Sequence, residues 1–140
     1  MTAEEYLKQI RRIDRLINNK IAEQQQLFAI ATSITAATDG EAIRPSGVSD
    51  KVGKGATLLA DLSAEIDVLV DRFVDLRNEC IEKIEAIEPK EPLYYAILHG
   101  KYIQYKTLRE IATIEGYSPQ YIREQHRKAL EYFEITYIKI

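Results

Sequence analysis

Between Ser118 and Lys128 a cluster of polar side chains recurs at spacings that put Gln120, Tyr121, Arg123, Glu124, Arg127 and Lys128 on the outer side of a helix, with Ser118 at its start. Arg suits guanine and Gln suits adenine in a B-form major groove, and a hydroxyl at a helix N-terminus can hold a phosphate. The chemistry on offer is recognition of a duplex. Arg123 and Arg127, one turn apart, are the central contacts in this reading, with ion pairs to Glu124 or Glu131 as the plain alternative. Nothing competes as a catalytic centre: the Asp and Glu pairs along 61–91 have no glycine-rich loop or histidine near them, and no P-loop motif is present. Two distant histidines, His99 and His126, and the lone Cys80 make no metal site and no internal disulfide. The expectation is a non-enzyme without cofactor or metal, with His126 structural and Cys80 a small buried hydrophobe.

Those side chains need a rigid platform, and the flanking residues describe one. Leu93 to about Tyr102 reads as a short helix with Leu93, Ala96, Ile97 and Ile103 inward, followed by a turn at Tyr105 and Lys106. Thr107 with Glu110 three residues later is a capping box for the helix LREIATIE, and Gly116 ends it in a left-handed conformation. Ser118 then caps a third helix that has Pro119 at its first position, where a missing N–H costs nothing. Ile122, Ala129 and Phe133, with Leu130 nearby, face Leu108, Ile111 and Ala112. Two short helices, a tight glycine-bearing turn and a small alanine at the crossing make a helix-turn-helix.

The segment from Tyr102 to Phe133 resembles the sigma-70 region 4 helix-turn-helix through the frame Tyr102, Leu108, Glu110, Ile111, Ala112, Gly116, Ser118, Ile122, Ala129 and Leu130. The whole chain resembles small phage and prophage regulators of Gram-positive bacteria, in the style of the ArpU and RinA late-transcription activators. The resemblance implies sequence-specific binding to double-stranded DNA near a promoter, with RNA polymerase as a further partner. It does not extend to a promoter-melting region, and Gln125 and His126 stand where the sigma module often carries an apolar and an acidic residue. A competing class is a protein-interaction module that binds polymerase or another regulator without touching DNA.

Ahead of this lobe lies a different kind of sequence. Ala3 to about Ala37 has no proline or glycine, and Leu7, Ile10, Ile13, Ile17, Ile21, Phe28, Ile30 and Ile34 recur at helical steps behind Thr2 as N-cap. Residues 39–55 concentrate glycine, serine and Pro45 and read as a mobile loop. A second helix is expected from about Ala56 to Ile87, with Leu59, Leu62, Ile66, Leu69, Phe73, Leu76 and Cys80 alternating steps of three and four as a coiled-coil seam. The run Glu88 to Pro92 breaks it with two prolines.

The expected architecture is therefore all-α: a long antiparallel helical hairpin or coiled coil over 1–88, then a small helix-turn-helix lobe over 93–140. A pair of helices buries one stripe of each and lacks a third wall, so residues 1–88 are expected to form a dimer or higher oligomer, the alternative being a hairpin packed on the C-terminal lobe of its own chain. Charge distribution fits this division. The formal net charge of −3 conceals +1 over 1–56, −6 over 57–91 and +2 over 93–140, so an anionic partner belongs at the C-terminal part. With about three or four phosphates neutralised per lobe the salt slope would be near −3, and useful occupancy would call for two lobes on one site. The absence of a long apolar run and of a signal-peptide pattern leads to the expectation of a cytoplasmic protein away from membranes.

Overall fold

The computed structural model describes the backbone of residues 1–38 and 46–139, and the side chains of 1–33 and 53–139. The protein is all-α. Its helices are α1 (Ala3–Thr38), α2 (Ser46–Glu85), α3 (Pro92–Leu98), α4 (Leu108–Glu115) and α5 (Pro119–Phe133). Wider π-helical turns extend α3 over His99–Ile103 and α5 over Glu134–Ile138. Thr2 and Glu5 cap α1 reciprocally: the Glu5 N–H donates to Thr2 Oγ1 and the Thr2 N–H to Glu5 Oε2, each at 3.1 Å. Among the described residues no helix is long and apolar enough to cross a membrane.

The loop expected over 39–55 is revised. Residues 39–45 lie outside the described residues, while 46–55 belong to α2, which begins ten residues earlier than its apolar repeat indicates. The glycines in this stretch each cost about 1 kcal/mol in a helix interior, but extending an existing helix incurs no fresh nucleation cost. Ser46 follows Pro45, and no further proline interrupts the chain until Pro89.

The chain divides into two compact units, and the division does not fall at 88–93. One unit joins Met1–Ile13 to Phe73–Ile140; the other is Asp14–Arg72. In the second unit the two long helices run antiparallel. Lys20 pairs with Glu65 at 2.9 Å, Gln24 Nε2 donates to Ser63 Oγ at 2.6 Å, and Gly55 lies against Ala31, so rising positions on α1 meet falling ones on α2. Ile17 is buried there, whereas Ile21, Leu27, Leu59, Leu62, Ile66 and Leu69 are half-buried and Phe28 is 62% exposed.

The first unit holds a continuous core. Ala3, Leu7 and Ile10 of α1 and Cys80 and Ile84 of α2 pack with Ile87, Leu98, Tyr102, Ile103, Ala129 and Phe133. Stripes of four helices thus close on one centre, and Leu7, Ile10, Cys80, Ile84 and Phe133 are completely inaccessible. Burial holds the Cys80 thiol up at a pKa of about 11, as befits a core side chain. The break after α2 is anchored, since Ile87 is in the core and its carbonyl accepts from the Glu91 N–H at 2.8 Å. At the far end Tyr137 stacks near Phe133, with ring centres 4.9 Å apart, and its hydroxyl donates to the Lys83 carbonyl at 2.9 Å. The segment 93–140 therefore shares a core with the ends of the two long helices.

Candidate nucleic-acid interface

A second apolar cluster supports the helix-turn-helix. Ile97 of α3, Ile111 and Ala112 of α4 and Ile122 of α5 are buried together, with Leu93 and Leu108 packed at the edge. Each local signal acts at its expected position. The Thr107 side chain accepts from the Glu110 N–H at 3.1 Å while the Glu110 carboxylate reaches back to the Thr107 N–H. Gly116 adopts φ +78°, a left-handed conformation that side-chain-bearing residues enter only at a cost. The N–H groups of Gly116 and Tyr117 both donate to the Ala112 carbonyl at 3.0 Å, closing α4 tightly. Ser118 Oγ accepts from the Tyr121 N–H at 3.1 Å and starts α5, which carries Pro119 at its first position.

With Ile122, Ala129 and Phe133 turned inward and fully buried, the opposite face of α5 is open. Ser118, Gln120, Tyr121, Arg123, Glu124, Arg127 and Lys128 are all exposed, so every residue singled out from the sequence lies on the accessible surface of this one element. Arg127 Nη1 pairs with Glu131 Oε1 at 3.0 Å, one turn along. Among the described residues Arg123 forms no ion pair. An exposed pair of the Arg127–Glu131 kind is worth about 0–1 kcal/mol, so the guanidinium is available to a competing phosphate or base. Tyr117 and Tyr121 stack with ring centres 5.0 Å apart at the start of α5, both partly open to solvent.

Each histidine is half-buried against a tyrosine. His126 Nε2 and the Tyr102 hydroxyl are 2.8 Å apart, and burial, seconded by Lys101, lowers the imidazole pKa to about 4. His99 stacks on Tyr95 at 5.4 Å between ring centres, and burial lowers its pKa as well. Among the described residues no group of three or more His, Cys, Asp or Glu could hold a metal ion.

Sequence reasoning passed over two features. Gly100 lies directly under α4: a Cβ there would sit 3.1 Å from both Cγ1 and Cδ1 of Ile111, so the absent side chain sets the approach. The other is the neighbourhood of α1. The Arg11 guanidinium lies 5.2 Å from the Tyr105 ring centre, with Tyr105 itself at φ +58°. Tyr105 and Lys106 do form the expected turn, the Lys106 N–H donating to the Gly100 carbonyl at 2.9 Å. No local signal in the sequence announces this contact, because it joins residues 94 positions apart.

In comparisons with known proteins, no family model, curated protein or solved structure matches this chain.

Proposed function

We propose that the protein is a DNA-binding transcription regulator that reads duplex DNA with the outer face of α5, in the manner the sigma-70 region 4 resemblance implies for a phage or prophage regulator acting in the cytoplasm. The observation that carries this reading is the division of α5: Ile122, Ala129 and Phe133 are sealed beneath it while Gln120, Arg123, Arg127 and Lys128 face outward. A helix about 10–12 Å across matches the roughly 12 Å major groove, provided its outer side is free. Ser118 and the helix N-terminus then meet the phosphate chain, and the two arginines and Gln120 meet base edges.

Self-association belongs to the same proposal. The inner stripe of residues 14–72 is half-buried, as two helices without a third wall must be, and a second copy supplies that wall. Two recognition helices on one site also raise the affinity of a module with few cations.

The test is retention of promoter DNA from the surrounding genome by the full chain at two salt concentrations. Arg123→Ala with Arg127→Ala should abolish sequence-specific retention, and unchanged retention would remove α5 from the interface. A second reading, a module that binds polymerase or another regulator, is favoured by the exposure of Ile114 (60%), Tyr117 (47%) and Tyr121 (40%) around the turn. It predicts polymerase capture that survives the double arginine change and fails with Ile114→Asp.

A further inference from the structure

We propose that the edge of α1 bearing Lys8 and Arg11, joined by Lys101 from the π-turn after α3, forms a shoulder that binds the phosphate backbone of duplex DNA beside α5. The inference rests on the reading of α5 as the DNA-facing helix and extends it to residues at the opposite end of the sequence.

Four relations place these cations together. With Ala3, Leu7 and Ile10 turned into the core, helical spacing sets Glu4, Lys8 and Arg11 along one flank of α1. Arg11 lies over the Tyr105 ring, beside the segment that follows α3, and Lys101 belongs to that segment. Tyr102 is bonded to His126, which fixes that segment against α5. On α5 itself His126 is flanked by Arg123, one turn earlier, and by Arg127. The cations therefore follow a path from the outer face of α5 across His126 to the flank of α1. Charge interactions agree: after burial, Lys101 is the chief influence lowering the His126 pKa, with Lys8 contributing and Glu4 opposing.

A duplex whose major groove accepts α5 presents its sugar-phosphate chains on both sides of that helix. The chain on the His126 side meets Lys101, Lys8 and Arg11. Glu4 is the carboxylate on this flank, and it holds Lys8 at 2.7 Å in an exposed pair weak enough to yield to phosphate. Contacts of this kind carry no base information; they add affinity and fix the orientation of the reading helix.

The full-length protein is titrated with a random-sequence duplex of about 30 base pairs, roughly three helical turns, over a range of salt concentrations. Lys8→Ala/Arg11→Ala/Lys101→Ala should weaken binding roughly tenfold or more and lower the magnitude of the salt slope by about 2–3, with the melting temperature retained. Lys8→Glu alone should act in the same direction should the triple variant lose its fold, and Glu4→Gln should tighten binding by freeing Lys8. An unchanged slope in folded variants, while Arg123→Ala/Arg127→Ala loses binding, overturns the shoulder and leaves α5 as the reading helix. A wild-type protein that binds no duplex at low salt overturns both.

Discussion

The Tyr102 hydroxyl and His126 Nε2 lie 2.8 Å apart, a hydrogen bond that ties the π-turn after α3 to the middle of α5. Both groups are kept neutral by their setting: burial raises the Tyr102 phenol pKa and lowers the His126 imidazole pKa. The middle of α5 is thus tied to the π-turn by a polar latch that stays uncharged at neutral pH.

A pH dependence follows. Below its ordinary value of 6.5 an unfolded His126 takes up a proton, whereas the folded ring does so only near pH 4. The unfolded chain then binds more protons, so stability falls as pH drops through that window and is fully present above it. Discounted for the exposed edge of the ring, the contribution is about 1 kcal/mol. Thermal melts from pH 7 to pH 4 should show the loss, and His126→Gln should flatten it; a variant with the wild-type profile would assign the slope to other groups.

The shared core makes the C-terminal segment dependent on the N-terminus. Residues 93–140 expressed alone expose the faces of Leu98, Tyr102 and Phe133 that Leu7, Ile10 and Ile84 cover in the intact chain. That fragment should melt without a cooperative transition. In the full chain Leu7→Ala should cost about 2–5 kcal/mol by denaturant titration, the range for a large-to-small change at a sealed site.

Gly100 and Ile111 form a testable pair. Gly100→Ala puts a methyl 3.1 Å from the Ile111 side chain and should cost about 1–3 kcal/mol through overpacking. Adding Ile111→Val removes the Cδ1 methyl and should recover part of that loss. Additive effects of the two changes would show that they do not meet.

Association has a direct readout. Static light scattering should give a mass at least twice the 16.1 kDa of one chain, rising with concentration if subunits exchange. A constant mass of one chain at two concentrations would reject self-association and leave the half-buried stripe of 14–72 without its wall.

Much of the candidate interface was legible before folding because its signals are local. A threonine answered by Glu110, a left-handed Gly116, and Ser118 followed by Pro119 each satisfy backbone groups within four residues, and all act where the sequence puts them. The inward set Ile111, Ala112, Ile122, Ala129 and Phe133 follows from helical period alone. The reach of α2 into 46–55 was not legible, because glycine content measures a local cost that an already formed helix can bear.

Period and caps established in the sequence itself that this chain is helical, where its short helices start and stop, and which side of α5 is polar. Only the tertiary structure decided that residues 1–13 and 73–87 complete the core beneath those helices, that Gly100 sits under Ile111, and that Arg11 lies over Tyr105 while Tyr102 bonds His126. The reason is physical. An apolar stripe states that it must be covered, but burial is nondirectional and does not name the partner, so which stripe covers which is settled when the whole chain packs.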